Sequence, residues 1–151
     1  MVSPLLSPAP ERPDRSQEIG LFLAGAGWGD ATRGHLAGDA SFRRYERVVG
    51  PKGQAVLMDA PPPWEDVRPF IQVTHRLQTQ GLSAPEIYAA DEVQGFLLLE
   101  DLGDASFTRI LRQSPQEERT LYEAAVAALV PLQEKGAVQG EGLPPYDDAV
   151  Y

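Results

Sequence analysis

Apolar residues recur along this chain with two different periods, and the switches between them mark its elements. Over Ser16–Trp28, the positions Ile19, Leu21, Phe22, Leu23 and Ala26 predict a short helix. Asp14 or Ser16 can cap it, and Gly20, Gly25 and Gly27 weaken it. A strand-rich block follows. Thr32–Leu36 forms a first strand, and Phe42–Val49, with Phe42, Tyr45 and Val48 apolar, forms a second. The Gly50–Gly53 turn then leads into Ala55–Met58, and Pro61-Pro62-Pro63 ends that third strand near Asp59. Phe70, Val73, Thr74 and Leu77 repeat at i, i+3, i+4 and i+7, with Pro69 in the first turn and Gly81 as C-terminal cap. Glu86–Ala90 and Gly95–Glu100 read as two more strands around an Asp91–Gln94 loop. Ser106–Arg112 reads as a helical turn. Ser114-Pro115-Gln116-Glu117 opens a longer helix whose face is Leu121, Tyr122, Ala125, Leu129 and Leu132, ending at Gly136. Asp147–Tyr151 begins another element.

Three strands, a crossing helix and two more strands predict an α+β fold, a five-stranded antiparallel sheet with one packed helix, over residues 16–104. Residues 1–15, with Pro4, Pro8, Pro10 and Pro13, read as a disordered tail. Residues 105–151 read as the first helices of a second, incomplete unit. The Leu121–Leu132 face then needs cover from a further lobe, a partner or a second copy of the chain.

Composition narrows the function classes. No apolar run reaches the roughly 18 residues of a membrane span, so no membrane role is expected. With no cysteine, disulfides and thiolate metal sites are excluded, which fits a cytoplasmic protein. A net charge of -9 repels phosphate backbones, so no nucleic-acid partner is expected. The basic residues cluster at Arg43, Arg44 and Arg47, which reads either as a solvated strand edge or as charge enough for a bound phosphate chain. His35 and His75 stand apart, and neither has the neighbours a metal site needs.

Two stretches carry chemistry. Gly38-Asp39-Ala40-Ser41-Phe42-Arg43-Arg44-Tyr45 lies between the first two strands. Backbone N–H groups in a tight turn cradle phosphate oxygens where small residues permit close approach. Gly38, Ala40 and Ser41 meet that steric need, and Arg43 or Arg44 can add bidentate charge; a plain hairpin turn is the competing reading. Phe96–Asp104 is an apolar strand running into an acidic break, F-L-L-L-E-D-L-G-D. Adenine needs one backbone acceptor and one donor two residues apart, and the Glu100 carbonyl and Leu102 amide have that spacing. The competing reading is a core strand with a solvated end. Trp64, after the proline run, either packs on the lobe or borders a ligand cleft.

The segments L-A-G-D-A-S-F-R-R-Y, V-L-M-D-A-P-P-P-W-E-D-V-R-P-F, G-F-L-L-L-E-D-L-G-D and L-P-P-Y-D together resemble the aminoglycoside phosphotransferase-like kinases. More narrowly they resemble the bacterial anomeric N-acetylmuramate and N-acetylglucosamine kinases of cell-wall recycling. The resemblance runs from about Leu36 to Tyr151. It implies a protein-kinase-like N-terminal lobe and the start of a C-terminal lobe, with ATP and Mg²⁺ as cofactors and an amino sugar as acceptor. It places the nucleotide against Gly38, Asp39, Ser41, Arg43, Arg44, Asp59, Glu100 and Leu102. The sequence departs from a protein kinase where V-L-M-D puts Asp59 at the third-strand lysine position and Phe70–Gln80 holds no acidic partner. Asp59 then either anchors one of the arginines or caps the proline-rich turn. No H-x-D catalytic loop is found. Catalytic residues and Mg²⁺ ligands are expected beyond residue 151, and the chain alone is expected to be inactive. A non-catalytic nucleotide- or partner-binding module is the alternative.

Overall fold

The computed structural model describes residues 14–38 and 41–136. Its elements are α1 (Ser16–Gly25), β1 (Thr32–Gly38), β2 (Arg44–Gly50), β3 (Gly53–Asp59), α2 (Arg68–Thr79), β4 (Ile87–Asp91), β5 (Phe96–Glu100), α3 (Phe107–Gln113) and α4 (Glu118–Gly136). The five strands form one antiparallel sheet in the order β1-β2-β3-β5-β4. This is the α+β architecture expected from the sequence, that of a kinase-like N-terminal lobe.

The two central strands are buried on both faces, as their unbroken apolar runs require. Successive side chains alternate between two cores. Ala55 and Leu57 of β3 join Phe96 and Leu98 of β5, Val48 of β2 and Ile19, Leu23 and Trp28 under α1. Met58 of β3 joins Leu97 and Leu99 of β5 on the opposite face, where Val56, Tyr45, Phe70, Ile71 and Ile87 pack on them. The sheet therefore lies between α1 and α2; the sequence reading assigned it one packed helix, and α1 adds a second on the other face. Arg15, just before α1, lies over the Phe96 ring at 4.1 Å and adds a cation–π contact to that side.

Element ends follow backbone chemistry. The Trp28 N–H donates to the Leu23 carbonyl and the Gly27 N–H to the Ala24 carbonyl, a Schellman closure that stops α1 at Gly25, short of the expected Trp28. The same pair of bonds, Leu82 to Leu77 and Gly81 to Gln78, closes α2 at the glycine expected to cap it. Ser106 caps α3 with its hydroxyl, which accepts from the Arg109 N–H at 3.4 Å. Ser114 was expected to cap the long helix; instead a 3-10 turn over Pro115–Glu117 precedes α4, and the Ser114 carbonyl accepts the Glu117 N–H. Along α4, Tyr122, Val126, Leu129 and Val130 are exposed.

Gly95 joins β4 to β5 at φ 75° and lies so close to β3 that an added Cβ would stand 2.0 Å from the Ala60 carbonyl oxygen. Both the backbone sign and the space exclude a side chain there. Gly95→Ala is expected to cost about 2–4 kcal/mol, positive-φ strain plus overpacking. Gly34→Ala, where nothing lies within 4 Å, should stay within about 0.5 kcal/mol. Urea midpoints of the two variants measure this; equal midpoints would contradict the packing described for Gly95.

Candidate nucleotide site

A cleft of about 630 Å³ opens where β5 leaves the sheet. Leu36, Val56 and Leu99 form its apolar wall, Glu100–Asp104 its rim, and Arg47 and Arg109 its charged side. Ladder geometry explains the chemistry of the rim. The Ala60 N–H donates to the Gly95 carbonyl at 2.9 Å. Hydrogen-bonded pairs alternate along an antiparallel ladder, so in the same register Ala55 and Glu100 form a non-bonded pair. On its other side Glu100 donates its N–H to the Glu86 carbonyl at 2.8 Å. The return bond bypasses the Glu100 main chain: the Glu86 N–H donates to the Glu100 side-chain Oε2 at 3.1 Å. The Glu100 carbonyl and the Leu102 N–H are thereby left without hydrogen-bond partners among the described residues.

The rim is held by charge. Arg47 donates from Nε to Asp101 Oδ2 at 2.6 Å and from Nη2 to Asp101 Oδ1 at 3.2 Å. It also donates from Nη1 to Asp104 Oδ2 at 3.2 Å and from Nη2 to Asp104 Oδ1 at 2.8 Å. The Gly103 N–H adds a bond to Asp101 Oδ1 at 2.8 Å. The Arg47 hydrogen bonds hold the Asp101 and Asp104 carboxyls below their ordinary range, and those carboxylates, Asp104 first, raise the Arg47 guanidinium. Arg109 approaches Asp104 at 3.7 Å.

A second carboxylate, Glu65 after the proline run, holds the chain just before β2. Glu65 Oε1 accepts the Phe42 N–H at 3.0 Å, and Oε2 accepts Arg43 Nε at 2.9 Å. The Phe42 and Trp64 rings stack at 5.4 Å. Burial pushes the Glu65 carboxyl up, but Arg43 and the Phe42 N–H outweigh it and leave the carboxyl below its usual value. Ser41 Oγ accepts the Arg43 N–H at 3.2 Å.

The residues expected to bind nucleotide fall into groups. Glu100 and Leu102 form the cleft rim. Gly38 ends β1 opposite Arg44, and Ser41 and Arg43 lie just before β2, joined by the bond from the Arg43 N–H to Ser41 Oγ. Asp39 lies outside the described residues. Asp59 and Arg44 are register partners whose alternation puts them on the α1 face, away from Val56 and the cleft. Asp59 pairs there with Arg15. Asp59, expected at the third-strand lysine position, thus lies on the α1 face, while Met58 shares the face of Val56 and is buried in the core there. Asp59 does anchor an arginine, Arg15. Arg47 was noticed only as part of a basic cluster, and Glu65 was not singled out. Neither spacing nor composition reveals such long-range pairs. No three His, Asp or Glu residues among those described are placed to hold a metal ion. None of the described helices is long and apolar enough to cross a membrane.

With this geometry in place, comparison with known proteins decides the family. Residues 34–143 match the phosphotransferase enzyme family. The chain belongs to that family. Its curated relatives include the N-acetylmuramate/N-acetylglucosamine kinase of Pseudomonas aeruginosa, 45% identical over 133 residues, which are 86% of this chain and 38% of the relative. Kinases of the same name from Pseudomonas putida (40% identical; 82% of this chain, 36% of the relative) and Caulobacter vibrioides (33%; 79% and 40%) also match. The chain thus spans about two fifths of the length of these phosphotransferase relatives.

The depressed rim carboxylates set a pH dependence. A carboxyl whose folded pKa lies below its unfolded value adds stability above the unfolded value and loses it as pH falls through the folded one. For Asp101 and Asp104, whose ordinary value is 3.8, the loss belongs below about pH 4. Thermal midpoints from pH 7 to about pH 2.5 should fall less steeply for Asp101→Asn than for the wild type; parallel profiles would show that the Arg47 pairing contributes nothing.

Proposed function

We propose that this chain is the nucleotide-binding part of an ATP-dependent amino-sugar kinase. The observation that carries this is the unengaged Glu100 carbonyl and Leu102 N–H at the rim of an apolar cleft. They offer the acceptor and donor that an adenine edge needs, and Leu36, Val56 and Leu99 offer apolar cover. The Gly38–Arg43 turn covers the phosphates, with Ser41 as hydroxyl donor and Arg43 as the nearby cation. Arg43 is already held by Glu65, so an arriving phosphate competes with that carboxylate for the guanidinium. Arg44 and Asp59, on the far face, shape the strand and stay off the nucleotide.

The acceptor is an amino-sugar hydroxyl, at the anomeric carbon by likeness to the N-acetylmuramate/N-acetylglucosamine kinases. The residues that orient that hydroxyl and bind Mg²⁺ belong to the large lobe of such enzymes, most of which this chain does not span. Mg²⁺ bound there would offset charge on the transferring phosphoryl group. No ligand set for it is built among the described residues.

The intact protein from its own cell, given ATP, Mg²⁺ and N-acetylmuramate or N-acetylglucosamine, should yield a sugar 1-phosphate by phosphorus NMR. ATP consumption with neither sugar phosphorylated would overturn the acceptor reading. Arg43→Ala should weaken ATP binding by about tenfold, the weight of one charge-assisted contact. Arg44→Ala should leave it within about twofold. Equal effects in calorimetric titrations would mean that the sheet faces do not sort the two arginines as described.

A further inference from the structure

Arg47 is tied to the rim in a way that no nucleotide contact proposed above explains. It stands on β2 opposite Val56 of β3, and the sheet order is β2-β3-β5. To reach Asp101 its side chain has to pass across β3 at Val56, over the apolar wall of the cleft. There its Nε and both terminal nitrogens meet two carboxylates in four contacts of 2.6, 2.8, 3.2 and 3.2 Å. The Arg47 side chain is 26% exposed and that of Asp101 is 7% exposed. A guanidinium with its edges taken up in this way meets a further ligand through its flat faces. The cleft keeps its volume of about 630 Å³ with the pairs formed, so the side chain borders the space without filling it.

We propose that Arg47 is the nucleobase platform of this cleft: a guanidinium held flat by Asp101 and Asp104, on which the purine stacks while its edge meets Glu100 and Leu102. The inference rests on the nucleotide reading above and adds a residue and a contact type to it. Cationic planes attract aromatic faces, and base stacking on a side chain tolerates any base. The platform therefore supplies affinity, and the rim hydrogen bonds supply the choice of base.

Calorimetric titration of the intact protein with ATP and, separately, with inorganic tripolyphosphate tests this. Tripolyphosphate carries the phosphate chain without a base. Arg47→Met and Arg47→Lys should each weaken ATP binding about tenfold, with tripolyphosphate unchanged within about twofold. Lys keeps the charge and can keep an ion pair to Asp101, so it guards against a variant that fails to fold, but it has no flat face. Full ATP affinity in Arg47→Lys would reduce Arg47 to a charge clamp and overturn the proposal. Tighter ATP binding in Arg47→Met would make the side chain an obstruction and overturn it as well. Equal loss of ATP and tripolyphosphate would overturn it in favour of general damage to the lobe. If the wild type binds tripolyphosphate but not ATP, the nucleotide reading itself fails, before any substitution is made.

Discussion

The pairing of β3 with β5 is the constraint on which everything else turns. Both strands are buried on both faces, so their register fixes at once which side chains meet α1, which meet α2, and where the ladder stops. A slip of one residue would exchange the two sets. It would carry Asp59 to the face now held by Met58 and bury it among Leu97 and Leu99 without Arg15. Ala55, Leu57, Phe96 and Leu98, all at 0% exposure, hold the register against that slip. The same register makes Ala55–Glu100 a non-bonded pair and frees a carbonyl where the rim begins. The free carbonyl thus follows from strand parity together with the Glu100 side chain, which takes the Glu86 N–H in its place.

Charge is sorted by the same alternation. Arg33 pairs with Glu46, and Arg15 with Asp59, on the α1 side. Arg43 with Glu65, and Arg47 with Asp101 and Asp104, lie on or beside the other. In a chain of net charge -9, each of these arginines is matched to at least one carboxylate. Any anion entering here meets cations already in use, which disfavours loose binding of arbitrary polyanions and rewards a ligand that offers more than charge.

Much of this was legible in the sequence. Strand runs, the proline stop after Asp59, the α2 stripe and Gly81 all rest on local chemistry, and the sheet followed from their order. The break after Glu100 was legible because strand-to-break transitions are local too. What stayed hidden depends on distance along the chain. Arg47 and Asp101 are 54 residues apart, and Arg43 and Glu65 are 22 apart. The face of Asp59 stayed hidden for a subtler reason: the motif V-L-M-D reads naturally by analogy with a lysine at its last position, and only the alternation from Val56 puts Asp59 on the α1 face and Met58 on the other. The end of α1 was drawn too long because Trp28 looked like one more residue of the apolar stripe; it is buried, but after the Gly27 reversal.

The two tryptophans have very different surroundings. Trp28 is 7% exposed beneath α1, whereas Trp64 is 48% exposed and stacked on Phe42 of the turn. Iodide in solution would reach the second indole and spare the first. The protein therefore carries a built-in optical gauge of the turn: light quenched by iodide comes from Trp64, and its change on adding a ligand records whether Phe42 has moved, with no label attached.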